Sequence, residues 1–429
     1  MVTSVAISEP DISILWEKDI ALTGRTIKPY TIQVVEDKNI VRLVGVSYIY
    51  KLKEHPRKQK PELFEYRLNL KDSTAELKTL MAMDEGDIAI SSPLEVKDSR
   101  LIDSEIVIIR NRAIPKEQHE SFNLQELTIG SDWQVKTREI PGLTRLSVST
   151  LGACRNINGD VFHCGNSGYI RKVDSNGNVA WDTNYKSDKR EDVTLSVAFS
   201  ESENMLVAFG VSFEPDTKFT SKDSSLWLAK LDSEGNFKSK AEFEGIANFG
   251  TIPSFCLSKS GNPIVIYDNN AEIGSYTIYA SKFSKDLKTK AWTTHIFDGN
   301  DIMVSRMVLT PFKEDYTLVT FFTFGTRIRN SRKLYFYILD KNGSIINQVV
   351  FEDVIGHDYL VAVLKDKIFC VTNRSREEKG KHTEFARLIC FKIYPCKGWR
   401  ILIRSAALGC FYQAVWGGLE FIAFNYLDR

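Results

Sequence analysis

A β-hairpin motif that recurs along the chain constrains the fold more than any other feature. The motif occurs as KVDSNGNVAW (172–181), KLDSEGNFKS (230–239), KFSKDLKTKAW (282–292) and ILDKNGSIIN (338–347). Successive anchor residues are 58, 52 and 56 residues apart, and they are Asp174, Asp232, Ser284 and Asp340. An Asp side chain bonds back to a turn backbone and Gly accepts a positive φ, so Asp-x-x-Gly predicts a tight turn. A period of about 50 residues, with several strands in each unit, predicts the blades of a β-propeller.

Each repeat divides into four predicted strands. Between 193 and 243 the strand segments are VTLSVAF, NMLVAFGV, SLWLAKL and NFKSKAEF. The second segment is almost wholly apolar, as expected for a strand with both faces buried, whereas alternation dominates the outer segments. No helical periodicity is sustained over a dozen residues. The sequence therefore predicts an all-β chain in which 1–429 form a single propeller domain of four-stranded blades.

The units continue in both directions and predict how the ring closes. Further units are predicted at 30–83, 86–140, 143–185 and 357–405, of which 86–140 is an irregular blade or an insertion. Two strands remain at each end of the chain, within 1–20 and 406–429, and together they would form one closing blade. Closure by strands from both termini leaves no exposed sheet edge. The prediction is eight blades, with seven as the alternative if 86–140 is an insertion.

The run from YIRKVDSNGNVAWDTNY (169–185) through LSVAFSESENMLVAFG (195–210) resembles the repeats of bacterial PQQ-like propellers. Those repeats similarly pair a turn-containing hairpin with a following strand that ends in Gly. The resemblance covers 160–350 well and implies a propeller fold. Such repeats occur in quinoprotein dehydrogenases, outer-membrane assembly factors and binding propellers, so the resemblance implies no single activity. The enzymes carry a Trp after the turn in most blades, and here only Trp181 and Trp292 lie near that position.

Local motifs for catalysis, cofactor binding or metal binding do not emerge from the sequence. His163 and Cys164 are adjacent, and adjacent residues on a strand point to opposite faces, which makes them poor co-ligands. The segment GNSGYI (165–170) lacks the Lys and the helix of a P-loop, and no GxSxG elbow occurs. We therefore predict no catalytic, cofactor-binding or metal-binding residues. A propeller enzyme can nevertheless assemble a site from single residues of several blades around its channel.

The chain ends and the cysteines lead to an expected location. The first residues, MVTSVAISEPDISILWEKD, lack the positive n-region of a signal peptide. The apolar segment 405–427 is interrupted by Gln413, Glu420 and Gly417-Gly418, which favours two strands over a membrane helix. Seven scattered cysteines without a CxxC pair indicate thiols in a reducing compartment. We expect a cytoplasmic monomer without a transmembrane segment.

The loops that join the second and third strands of the blades collect basic residues. In a propeller these loops gather on one face. Segments 51–60 and 326–333 each carry a net charge of +4, 372–382 carries +2 and 110–120 carries +1. The loops 213–223 and 269–275 carry −1 each and GNSG is neutral, which gives +9 in a chain whose net charge is +1. The turns on the opposite face are rich in Asp, so the sequence predicts a basic face and an acidic face.

We interpret the basic face as a docking surface, because a one-sided charge field speeds and orients association. The predicted function is a non-enzymatic binding scaffold for protein–protein interaction, with an acidic protein surface as partner ahead of nucleic acid or anionic lipid. The alternatives are charge that serves solubility alone, a propeller enzyme with a central-channel site (a hydrolase or a PQQ-type oxidoreductase), and a lectin-like propeller. The predicted partner-binding residues are Lys51, Lys53, Arg57, Lys58, Lys60, Arg327, Arg329, Arg332, Lys333, Arg374 and Arg376.

Overall fold

The computed structural model confirms an all-β chain. It describes residues 12–22, 25–48, 61–83, 96–102, 104–114, 121–140, 150–187, 191–214, 224–244, 253–269, 275–312, 315–325, 332–352, 359–378, 381–393 and 400–403. Within these residues there are 29 strands and no helix. The strands form seven sheets, which are the blades, and neighbouring strands along the chain are antiparallel within each blade.

The blades are numbered in chain order of their first strands. The first three are β2 (Thr26–Val35), β3 (Ile40–Tyr48), β4 (Glu62–Asn69) and β5 (Ala75–Ala82); β6 (Val96–Ile102), β7 (Glu105–Ile114), β8 (Ser121–Ile129) and β9 (Val135–Ile140); and β10 (Thr150–Arg155), β11 (Val161–Gly165), β12 (Tyr169–Val173) and β13 (Val179–Asn184). The next two are β14 (Glu191–Ser200), β15 (Met205–Phe213), β16 (Ser225–Leu231) and β17 (Phe237–Glu244); and β18 (Ser254–Leu257), β19 (Pro263–Asp268), β20 (Ser275–Phe283) and β21 (Lys290–Asn300).

The last two blades contain strands from distant parts of the chain. The sixth comprises β22 (Ile302–Phe312), β23 (Tyr316–Gly325), β24 (Arg332–Leu339), β25 (Ile345–Glu352) and β29 (Arg400–Ile403). The seventh comprises β26 (Tyr359–Leu364), β27 (Lys367–Glu378), β28 (Lys381–Ile393) and β1 (Ile12–Ile20).

The first strand of each blade lies at the centre of a closed ring. Contacts join β2 to β6, β6 to β10, β10 to β14, β14 to β18, β18 to β22, β22 to β26, and β26 back to β2. Each blade extends outward from its inner strand through the second and third strands to an outer strand. The molecule is therefore a seven-bladed β-propeller.

The blade count is the lower of the two predicted, because the chain ends pair differently from the expectation. β1 is antiparallel to β28, with Ile12 opposite Ile393, so it forms the outer strand of the seventh blade. The segment WRILIR was expected to supply that outer strand, but β29 pairs in parallel with β25 of the sixth blade. Strands from the two ends of the chain thus close the ring within the seventh blade, without an eighth. Residues 406–429 lie outside the described residues.

Strand reversal sorts the connections into two ends of the ring. The connections between second and third strands, together with those between blades, lie at one end, which we call the loop face. The turns between first and second strands and between third and fourth strands lie at the other end, which we call the turn face. The second strands are the most buried, as β11 and β19 show along their whole length, which agrees with their apolar sequences.

Apolar side chains fill the space between neighbouring blades. Between the sixth and seventh blades, for example, Phe336, Phe351 and Phe391 are all buried. The ring centroid of Phe336 lies 5.5 Å from that of Phe351 and 5.2 Å from that of Phe391. Such edge-on aromatic contacts stabilise the packing beyond the area they bury. The core is therefore a series of layers between blades, and the two faces are left to polar residues.

The recurrent hairpin joins each blade to the next. In the third blade the Gly177 N–H donates to the Asp174 carbonyl oxygen, and Gly177 has a φ of +90°. Outer-strand side chains bind the same kind of turn in the following blade: Trp181 Nε1 donates to Ser233 O at 2.8 Å, and Trp292 Nε1 donates to Lys341 O at 3.1 Å. The Asp-x-x-Gly turn is therefore a structural contact between blades.

Candidate protein-docking face

The order of the blades brings the three most basic connections into one sector of the loop face. They join β3 to β4 in the first blade, β23 to β24 in the sixth and β27 to β28 in the seventh. These blades are consecutive, since β22 contacts β26 and β26 contacts β2. The sequences 51–60, 326–333 and 372–382 carry +4, +4 and +2. We call these three connections the basic sector.

The rest of the loop face does not share this charge. The equivalent connections of the second to fifth blades carry +1, 0, −1 and −1. Connections between blades lie on the same face and were left out of the sequence count. Residues 83–95, which leave the first blade, carry −4, and residues 353–358, which join the sixth blade to the seventh, carry −2, so both partly offset the charge of the basic sector. The basic face stays a prediction, and the most basic of its connections are the three of the basic sector.

The predicted binding residues fall into two groups. Lys51, Lys53, Arg57, Lys58, Lys60, Arg327 and Arg329 lie outside the described residues. Arg332 and Lys333 begin β24, where the backbone of Lys333 lies opposite Glu352. Arg374 and Arg376 lie within β27, in register with Phe385 and Thr383 of β28.

The segment 372–382 was expected to be a loop, and this expectation was wrong for most of it. β27 continues to Glu378 and β28 begins at Lys381, so the two strands extend as a paired ribbon at the loop face. Its sequence, TNRSREE, has no Pro or Gly that would end a strand. A loop was expected because the segment is rich in charged residues. A two-stranded ribbon can also carry charged residues where its strands extend beyond the core. The ribbon gives one side of the basic sector a regular backbone.

On the turn face, an Asp in the turn between the third and fourth strands of each of the first six blades binds its own turn. Each accepts a backbone N–H within its own turn, for example from Asn178 at 2.8 Å for Asp174 and from Asn236 at 2.8 Å for Asp232. The six residues are Asp72, Asp132, Asp174, Asp232, Asp286 and Asp340.

Hydrogen bonds lower the pKa of several of these carboxyl groups. The Lys238 ammonium, which lies 2.6 Å from Asp232, lowers the pKa of that carboxyl, and bonds within the turn add to the effect. The backbone N–H of Asn178 lowers the pKa of Asp174, and the Thr74 hydroxyl and N–H lower the pKa of Asp72. These three carboxylates therefore stay charged at a lower pH than an ordinary Asp.

A buried ionic cluster joins the first blade to the second near the turn face. Glu65 is fully buried and binds the guanidinium groups of Arg42 and Arg67. Both groups donate to Gly130 O of the second blade, at 3.1 and 2.9 Å. Arg67 also stacks on Trp133, with 3.5 Å between the guanidinium carbon and the ring centroid. The hydrogen bonds to carbonyl oxygens compensate for burying these charges.

A related cluster joins the second blade to the third. Glu126 binds Arg138 at 2.9 Å and Arg155 at 3.2 Å. Arg138 donates in turn to Gly159 O at 2.9 Å and Ser175 O at 2.8 Å, both in the third blade. These clusters escaped the sequence analysis because their acceptors are backbone atoms of another blade. The only sequence signal for such a cluster is that residues of opposite charge occur within strands that were otherwise expected to be apolar.

The inner strands range from largely apolar to charged, since β6 is VKDSRLI and β14 is EDVTLSVAFS. β26 is YLVAVL, β18 is SFCL and β2 is TIKPYTIQVV. The Asp192 carboxylate of β14 is buried and accepts hydrogen bonds from the hydroxyl groups of Ser187, at 2.9 Å, and Ser212. Asp192 is therefore held within its own blade. Among the described residues no three His, Cys, Asp or Glu side chains are placed to hold a metal ion.

His163 illustrates a histidine whose role is in packing. It is fully buried in β11, and within the described structure neither ring nitrogen has a hydrogen-bond partner. Burial, with a smaller contribution from Arg171, lowers its pKa to about 3. The ring is thus neutral at physiological pH and packs 6.4 Å from that of Tyr169. The neighbouring Cys164 is buried in a hydrophobic cluster that does not contain His163.

Comparisons with known proteins identify neither a family nor a function. No protein family matches the sequence, and no curated protein matches it. The structure is similar to Raptor from Chaetomium thermophilum, with a TM-score of 0.49 and 8% identity over 89% of this chain, which spans 30% of that chain. It is also similar to a protein of unknown function from Dyadobacter fermentans, with a TM-score of 0.48 and 10% identity over 90% of this chain and 100% of that chain. No argument about function rests on either likeness.

The described residues contain no helix that is long and apolar enough to cross a membrane.

Proposed function

We propose that the protein is a non-enzymatic binding scaffold that docks an acidic protein surface on its basic sector. The observation that carries this proposal is the adjacency of the sixth, seventh and first blades, which brings connections of +4, +2 and +4 together. A concentrated field of one sign attracts and orients a partner of the opposite sign. The nearly neutral chain as a whole would not do so.

The use of charge elsewhere in the molecule supports this assignment. On the turn face the carboxylates bind their own turns, and the buried arginines bind carbonyl oxygens of the next blade. The inner strand β26 is largely aliphatic, and the Asp192 carboxylate of β14 is bound by serine hydroxyl groups. These features favour a scaffold over a channel enzyme such as a hydrolase or a PQQ-type oxidoreductase.

The proposal also covers the relationship to PQQ-like repeats, the cellular compartment and the oligomeric state. The contacts of Trp181 and Trp292 with the turns of the following blades support a relationship to PQQ-like repeats at the level of the fold. The scattered cysteines support a reducing, cytoplasmic setting, and closure of the ring within one chain supports a monomer. The proposed partner is a protein, with nucleic acid and anionic lipid as the competing polyanions.

A charge-reversal experiment tests the docking proposal. The variant Lys53→Glu/Arg57→Glu/Arg327→Glu/Arg329→Glu changes the basic sector. The matched control is Lys285→Glu/Lys288→Glu/Lys341→Glu/Lys365→Glu, which reverses four exposed lysines of the turn face. Both proteins lose the same total charge. We expect the wild type and the control to be retained on immobilised polyglutamate and to elute at similar salt, while the sector variant elutes at markedly lower salt.

The outcomes separate the possible partners. Equal loss of retention in both variants would show that total charge matters and that its position does not, which would contradict the proposal. Stronger retention on duplex DNA or on phosphatidylserine vesicles than on polyglutamate, lost in the sector variant alone, would assign the sector to that polyanion instead of a protein. Absence of retention on all three materials would return attention to the channel and to an enzymatic function.

A further inference from the structure

The outer strand of the sixth blade differs in sequence and burial from that of the fourth blade. Counted from the turn aspartate, the positions of Ile346, Gln348 and Val350 in β25 are exposed and charged in β17 of the fourth blade, where they are Lys238, Lys240 and Glu242. In β25, Val350 is 6% exposed, and no charged residue precedes Glu352. An uncharged outer strand is a poor choice for an open edge, because charged residues are what discourages strands of other chains from pairing there.

This edge is occupied by a strand from the end of the described chain. β29 runs parallel to β25, with Gln348 opposite Arg400, Val349 opposite Ile401, Val350 opposite Leu402 and Phe351 opposite Ile403. Elsewhere in the described blades, neighbouring strands pair as antiparallel hairpins or, for β1 and β28, as an antiparallel pair. β29 is therefore an added fifth strand of the sixth blade. Its backbone covers the outer edge of β25, the fourth strand of that blade.

The coverage is short. β29 has four residues and pairs with the second half of β25, whereas β25 has eight. Pairing with β29 begins at Gln348, so the first three residues of β25 have no partner in β29. One of them, Ile345, is 38% exposed. A longer strand in the same register could pair along all of β25 and cover Ile345 as well. Main-chain hydrogen bonds supply much of the affinity when a peptide adds to a sheet edge.

We propose that the outer edge of the sixth blade is a strand-docking site, which β29 fills within the chain and from which an extended aliphatic segment of a partner protein displaces it. The segment that fits is uncharged at its centre and rich in Ile, Leu or Val, like Ile401 and Leu402, and it enters parallel to β25. Its advantage over β29 is length. This surface lies on the outer edge of the ring and contains none of the four residues changed in the sector variant, so the two proposals can fail independently.

The test uses the full-length chain with a reversible lock. Gln348→Cys/Arg400→Cys places two thiols at register partners of β25 and β29, so oxidation ties β29 in place. The probe is a fluorescent peptide with the sequence of residues 398–405, GWRILIRS. We expect saturable binding to the reduced variant by fluorescence anisotropy, and at least a tenfold weaker affinity after oxidation. A peptide with Ile401→Pro/Leu402→Pro, which removes two successive N–H groups and therefore one that would face β25, should bind neither form.

Matched controls test whether the peptide binds at the edge of β25. The wild-type chain should bind the peptide equally under oxidising and reducing conditions. Val350→Glu puts a carboxylate at the edge that the peptide would cover; once circular dichroism shows that the variant is folded, it should lose the peptide even if the disulfide does not form. The sector variant should bind the peptide as the wild type does. The proposal is overturned by the absence of saturable binding up to about 1 mM peptide, or by equal binding to the locked form and to Val350→Glu.

Discussion

The two faces of the propeller use charge in opposite ways. On the turn face, Glu65, Arg42 and Arg67 form a cluster that reaches into the next blade, and the turn carboxylates accept N–H groups of their own backbone. On the loop face, the basic residues are concentrated in connections of three neighbouring blades. The comparison teaches that the position of a charged residue in the blade, as much as its sign, indicates whether the residue stabilises the ring or is available for binding. Charges at the turns stabilise the ring, and charges in the basic sector are proposed to bind.

The largest expected effect breaks the buried cluster on the turn face. Arg42→Met should lower the free energy of unfolding by about 3 kcal/mol, because Glu65 loses one of its two guanidinium partners while it remains buried. Denaturant unfolding of the wild type and the variant measures the difference. The double variant Arg42→Met/Glu65→Leu should recover part of the loss, since no uncompensated carboxylate is then buried. A single variant as stable as the wild type would show that the cluster does not stabilise the ring.

The second prediction separates backbone strain from contact between blades. Gly235→Ala and Gly177→Ala both place a side chain at positive φ, +84° and +90°. A Cβ at Gly235 would lie 2.8 Å from the Trp181 ring of the preceding blade, whereas a Cβ at Gly177 would have no neighbour within 4 Å. We expect both variants to lose about 1 kcal/mol from strain and Gly235→Ala to lose about 1 to 2 kcal/mol more through the displaced indole. Equal losses in thermal unfolding would argue against Trp181 as a contact that joins the blades.

The third and smallest effect concerns the turn carboxylates in acid. The folded-state pKa of Asp174 and of Asp232 is lowered, so their contribution is present above the unfolded pKa of about 3.9 and is lost as the pH falls through the folded value. The melting temperature should therefore fall below about pH 4. Asp174→Asn/Asp232→Asn keeps side-chain oxygens that can accept the turn N–H groups. Its melting temperature should decline less steeply with acid than that of the wild type. Identical declines would assign the acid sensitivity to other groups.

Local patterns in the sequence predict most of the fold. The Asp-x-x-Gly turns and the apolar second strands are consequences of short-range chemistry, and the structure has the predicted blades across 172–352. The closure of the ring differs from the prediction because it depends on pairing between Ile12–Ile20 and β28. These two strands are separated by almost the whole chain. The short strand at Arg400–Ile403 is apolar in the middle, which identifies a strand but not its neighbour. Only the ring order then shows that 51–60, 326–333 and 372–382 belong to adjacent blades.

The candidate site is less predictable for the same reason. Arg332, Lys333, Arg374 and Arg376 could be chosen from charge density alone, but the paired ribbon of β27 and β28 could not. The turn-face arginines were missed because a strand sequence does not reveal that a guanidinium group will donate to a carbonyl oxygen of the next blade. Charge on a propeller has to be placed by strand topology before it can be interpreted as structural or as a binding surface.

One measurement tests this division of charge most directly. The sector variant Lys53→Glu/Arg57→Glu/Arg327→Glu/Arg329→Glu and the turn-face variant Arg42→Met are examined for both thermal unfolding and retention on polyglutamate. The account predicts that the sector variant melts within about 2 °C of the wild type and loses retention, whereas Arg42→Met melts well below it and keeps retention at a temperature where it is folded. A sector variant that loses stability as Arg42→Met does, or that keeps full retention, would contradict the account.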